Sequence, residues 1–124
     1  MAGITIRKLS DCDYYKGENA IPGIKFRSVG RDLGVTAWGM SVLEIEPGCT
    51  GYPEHDHAKD GQEEVYVVLK GSATLATAEG EQPLETGTLV RVEPRTRRKF
   101  LAGREGLTLL AIGGTPGKAY ATRA

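Results

Sequence analysis

The two histidines of this chain stand two residues apart in the run Pro53-Glu54-His55-Asp56-His57, and two adjacent glutamates, Glu63 and Glu64, follow soon after. In an extended chain side chains alternate between faces, so positions 55 and 57 point the same way, with about 6.6 Å between them along the strand. Two imidazoles at that spacing can converge on one metal ion. A third ligand has to come from elsewhere, and a carboxylate returning on the next strand, after the turn signal Asp60-Gly61, would supply it. Such a set leaves open positions on one divalent ion (Fe, Mn, Ni or Zn), which could bind substrate oxygens as a Lewis acid or, if iron, activate O₂.

The elements that must position these residues have to come from a single domain, because 124 residues bury one core and not two. Sixteen basic and sixteen acidic residues cancel, so no global field gathers nucleic acid or an anionic membrane surface. No stretch approaches the roughly 20 apolar residues of a membrane span, and the first ten residues carry no long apolar segment. The expected protein is soluble and cytoplasmic, with no nucleic-acid or membrane partner. Cys12 and Cys49 form no zinc pattern or disulfide framework and read as free thiols. Cys49 precedes His55 by six residues but reads as a small buried hydrophobe.

Glycine is abundant, at 17 residues, and it separates short β-branched and apolar runs; no window sustains a helical period. The predicted class is all-β. Strands are expected over residues 36–45, 64–69, 72–78 (after a Lys70-Gly71 turn), 88–92, 97–101 and 107–112, closing a small barrel. In the first, Trp38, Met40 and Val42 share one face while Leu43 and Ile45 share the other. Ile4-Thr5-Ile6 and Ile24-Lys25-Phe26 are weaker and read as edge strands. The chain is thereby divided into N-terminal strands over 1–34, a barrel over 35–112 and a tail over 113–124.

Residues 48–71 resemble the first motif of the cupins, small double-stranded β-helix (jelly-roll) barrels: a glycine, His-x-His, a glutamate, then six residues and a glycine. The interval from Glu64 to Gly71 matches, so the resemblance makes Glu64 the third ligand beside His55 and His57 and turns Glu63 to the outward face. Gln62 shares the face of Glu64. The glycine lies one residue too far, at Gly48, and six residues separate His57 from Glu64, which a longer hairpin accommodates. The second motif departs further. Its Pro-x-Gly turn is reduced to Glu85-Thr86-Gly87, and Arg98 stands where the family's later histidine, usually the fourth ligand, would be.

Alternation places Arg98 and Phe100 on one face, so a permanently charged guanidinium that cannot coordinate a metal is expected to face the cavity. Gln62, Tyr66, Arg98 and Phe100 are then the candidate substrate-binding residues, with Arg98 pairing a substrate carboxylate. The bland readings are that the histidines are surface residues of a charged loop and that Arg95, Arg97, Arg98 and Lys99 form a solvated basic edge. The expected function is a metal-binding cupin that acts on or binds a small anionic organic molecule. As an enzyme it would be a metal-dependent dioxygenase, isomerase or lyase of small carboxylate or carbonyl compounds. The alternatives are a non-catalytic binding or sensing barrel and a degenerate site in which Arg98 repels a cation. Chain size and the resemblance together imply a homodimer formed by exchange of N-terminal strands.

Overall fold

Six strands form among the described residues, which in this computed structural model are 2–121. They are β1 (Ile24–Arg27), β2 (Gly39–Ile45), β3 (Glu63–Thr77), β4 (Gly80–Glu85), β5 (Leu89–Val92) and β6 (Lys99–Gly114), with one short helix, α1 (Val29–Leu33), and a 3₁₀ turn at Leu9–Asp11. All pairings are antiparallel, in the order β1-β2-β6-β3-β4, with β5 on β3. The expected all-β architecture is what forms.

Two of the expected boundaries move. Lys70-Gly71 is no hairpin turn: β3 runs through it as one strand of 15 residues, with register shifts at Val68/Lys70 and Gly71/Ala73. The two strands expected at 97–101 and 107–112 are likewise one, β6. Such bulges bend a strand while keeping it paired. The first half of β3 pairs with β5 and the second half of β6, and the second half of β3 pairs with β4 and the first half of β6. Gly71 makes the bend possible. Its φ is +78°, and a Cβ there would lie 2.0 Å from the carbonyl oxygen of Gly106, so no other residue fits. The edge strand β4, unforeseen because Pro83 interrupts it, is tolerated opposite Thr74 with no outer partner to miss the N–H.

Alternation along β2 divides two cores. Leu43 and Ile45 enter the main cluster with Tyr52, Tyr66, Val68, Phe100 and Leu109. Val42, on the other face, packs with Cys12 and Val29 in a small second cluster beneath α1. Helix α1 lies close on β2 because Gly30 meets Met40, where a Cβ would come within 3.1 Å of the Met40 backbone. Gly34 (φ +83°) ends it with its N–H on the Arg31 carbonyl. Strand β1 pairs with β2 of its own chain. The other expected edge strand, Ile4-Thr5-Ile6, forms no strand, and Ile4 and Ile6 are exposed. Both cysteines are free thiols.

Candidate metal centre

The histidines sit in an irregular segment between β2 and β3 that runs extended against the β5–β6 connection. His55 is bridged to Arg98, each backbone N–H donating to the other's carbonyl (3.1 and 2.9 Å), and the His57 N–H donates to the Pro94 carbonyl at 2.7 Å. Glu64 is fixed more firmly, on β3 between Val92 of β5 and Gly113 of β6. Gly113 leaves room for it: a Cβ there would lie 2.8 Å from Gln62 Oε1 and 3.2 Å from Glu64 Cγ.

These elements bring one donor atom each from His55, His57 and Glu64 within 4.8 Å of one another. Glu64 Oε1 is 3.0 Å from His57 Nε2 and 3.8 Å from His55 Nε2. Ligand atoms bonded to one ion at about 2.0–2.2 Å stand roughly 2.8–3.6 Å apart at right-angled to tetrahedral geometry, so the His57–Glu64 spacing falls within that range and the His55–Glu64 spacing lies slightly beyond it. The tautomers are fixed from behind. His55 Nδ1 meets the Pro53 carbonyl at 3.0 Å and His57 Nδ1 meets the Asp60 carboxylate at 3.1 Å. Both partners are acceptors only, so each Nδ1 carries the proton and each Nε2 offers its lone pair inward. His57 therefore lies between two carboxylates, and a neutral ring satisfies only one. The contact at Nε2 demands a second proton or a cation, and the donor set fits a divalent metal.

Beneath the carboxylate lies a polar layer within the core. Arg98 is fully buried, at 0 % exposure, and its guanidinium donates to Glu64 Oε1 (2.6 Å), to the Tyr66 hydroxyl (3.2 Å) and to the Thr96 carbonyl (2.7 Å). The Tyr66 hydroxyl also donates to Glu64 Oε1. Burial alone would raise the Glu64 carboxyl, but the two imidazoles beside it, the Tyr66 hydroxyl and the Arg98 guanidinium outweigh it and hold the group down at about 2. The Glu64 carboxylate in turn raises His55, against its partial burial. Burial pushes the Tyr66 hydroxyl far above its ordinary value, which keeps it a donor, and lifts Tyr52 to about 12.

Above the three donors opens a cavity of about 820 Å³. Gln62 and Tyr66 line it. Arg98 and Phe100 do not: both are wholly buried below it. The expected clamp for a substrate anion is corrected, because the bridge to His55 turns the guanidinium under Glu64, where three acceptors consume it. Glu63 faces outward to Arg91. Sequence reasoning missed Asp60, whose place three residues beyond His57, just before the turning Gly61 (φ +70°), was the available signal. It also missed Tyr52 and Arg31 on the cavity wall, and Trp38 stands there too, part-exposed.

Comparison with known proteins bears on the architecture. The Cupin domain family model matches residues 41–113. A sugar phosphate isomerase of Silicibacter pomeroyi DSS-3, from a cupin superfamily, is 22 % identical over 88 % of this chain and 75 % of its own, with a TM-score of 0.75. A Cupin 2 conserved barrel domain protein of Salinispora arenicola CNS-205 is 19 % identical over 90 % and 88 %, at 0.71. KdgF of a Halomonas species is 15 % identical over 89 % and 93 %, at 0.67. No curated protein matches the chain.

Proposed function

This chain belongs to the Cupin domain family, and on that premise we propose that it holds one divalent metal ion through His55, His57 and Glu64 and acts on a small anionic organic molecule in the cavity above. The observation that carries the reading is the placement of His57 between Asp60 and Glu64, which asks for a cation at Nε2. When bound, such an ion supplies Lewis acidity at its open positions. The chain's own residues do the rest. Asp60 and the Pro53 carbonyl orient the two imidazoles, and Arg98 and Tyr66 hold Glu64 ionised and fixed. Arg98 is thus a positioning residue, and the fit of the donor set speaks against a degenerate site.

A second reading, a non-catalytic binding barrel, draws on the cavity wall. Apart from the three donors, the described lining residues include no carboxylate and no histidine; their titratable groups are Arg31 and four tyrosines. Of these, Tyr66 is the hydroxyl that touches the donor set, through Glu64.

Elemental analysis of untagged protein tests the metal, with about one ion per chain expected and less than a tenth of that in His57→Ala. Stoichiometry unchanged in His57→Ala would end the assignment. Turnover separates enzyme from binding barrel: O₂ uptake or product from carboxylates and diketones with Fe, Mn, Ni or Zn supports the first. Among the described residues no helix is long and apolar enough to cross a membrane, and we keep a cytoplasmic location as part of the proposal, supported by the two free thiols.

A further inference from the structure

With Arg98 consumed beneath Glu64, a side-chain cation for an anionic ligand has to come from elsewhere on the cavity wall. Among the described lining residues Arg31 is the one lysine or arginine. Its side chain is 64 % exposed, and its closest carboxylate, that of its neighbour Asp32, is 4.0 Å away. The arginines nearer the barrel are engaged: Arg27 with Glu44, Arg91 with Glu63, Arg97 with Glu54 and Arg98 with Glu64. Arg31 is also held in place. Gly30 seats α1 directly on Met40 of β2, and the Gly34 N–H caps the Arg31 carbonyl, so the backbone that carries Arg31 on the cavity wall is fixed at both sides.

Around it the wall is apolar and aromatic. Tyr15, Phe26 and Trp38 all line the cavity and are each more than two-fifths exposed, so large aromatic faces are open to it. The volume, about 820 Å³, suits a ligand of small-drug size. A planar guanidinium with its donors free takes a carboxylate or phosphate in a forked contact, and aromatic faces take the body behind it.

We infer that Arg31 is the anion anchor of this cavity, taking the carboxylate or phosphate of a small organic anion whose apolar body lies against Tyr15, Phe26 and Trp38. The inference deepens the proposed function, resting on its reading of the cavity as a ligand site but not on the metal. A ligand so held meets Arg31 at one end and presents its other groups to the wall that carries His55 and His57.

Trp38 is the single tryptophan of the chain, so its fluorescence reports binding at this wall. The probes are phenylacetate, phenyl phosphate and the neutral benzyl alcohol, titrated into the full chain and checked by calorimetry. Both anions, or one of them, are expected to bind at least about tenfold more tightly than the alcohol, the span of one charge-assisted contact. Arg31→Gln should abolish that difference and Arg31→Lys should keep part of it; preference for one anion over the other tells carboxylate from phosphate. Anions bound no better than the alcohol, or an undiminished preference in Arg31→Gln, would overturn the inference. Metal content, assayed on the same wild-type sample, decides the ion separately: anion binding that depends on Arg31 in a protein without metal would sink the metal reading and leave the anchor standing.

Discussion

Arg98 and His55 are paired through both backbone hydrogen bonds, and the Arg98 side chain passes beneath the site to Glu64 Oε1 at 2.6 Å. The residue in the place of a fourth ligand therefore acts on the third. In Arg98→Met, Glu64 would keep Tyr66 but lose its buried counter-charge, and removing one partner of a buried pair costs about 3–5 kcal/mol. Denaturant unfolding of the metal-free protein should show a loss of that order. A loss below 1 kcal/mol would mean that the pair is solvated in solution.

Asp60 fixes the His57 tautomer from behind. Asp60→Asn keeps the shape and removes the charge, and outer partners of this kind are worth about 10–100-fold in metal affinity. Competition against a chelator should show such a weakening while the unfolding midpoint of the metal-free protein stays near wild type.

Acidity should act on the loaded and metal-free forms in opposite ways. His55 is raised above 6.5 by Glu64, so in the metal-free chain its contribution is fully present below 6.5 and is lost as pH rises through the raised value. Glu64 is lowered from 4.5 to about 2, so its contribution is present above 4.5 and is lost as pH falls through about 2. The metal-free protein should hold this part of its stability between about 4.5 and 6.5. Metal requires His55 unprotonated, so metal-dependent stabilisation should shrink as pH falls through the raised value. Unfolding midpoints across pH, with chelator and with metal, measure both; midpoints that fall together on acidification from neutral pH to 5 would contradict the His55–Glu64 pairing.

Gly71→Ala should prevent folding or cost several kcal/mol, since its Cβ meets the Gly106 carbonyl. Gly87 also has a positive φ (+90°) but open space around it, so Gly87→Ala should cost only the left-handed penalty, about 1–2 kcal/mol. Equal costs at the two positions would show that the close approach is absent in solution.

We propose that the protein is a homodimer. Strand β1 is already seated on β2 of its own chain, whereas Leu89 on β5 stands 70 % exposed with Leu69 of β3 also exposed. Light scattering should give about twice 13.3 kDa, and Leu89→Lys should shift the mass toward one chain. A wild-type monomer at micromolar concentration would rule the dimer out.

Much of this site could be read in the sequence because its chemistry lies in short-range spacing. His55 and His57 share a face by alternation, and the interval from Glu64 to Gly71 encodes the distance from the carboxylate to the bend. The errors came from contacts between distant segments. Gly71 looked like a turn because its positive φ is a local property, while the Gly106 carbonyl that makes it a bend is not visible nearby. Arg98 was placed on the correct face, but alternation gives direction and not depth, so a guanidinium under Glu64 could not be told from one in the cavity. Arg31 gave no signal, since its place depends on Gly30 resting against β2.

The contact from Glu64 to Arg98 spans 34 positions of the chain, and that separation sets an order of events during synthesis. When the two histidines and the glutamate have left the ribosome, the strand that underpins them is still unmade. Long-range pairings of this kind carry their loop-closure cost before they are rewarded, so an ion held by these residues would enter a finished cup instead of serving as a template for it.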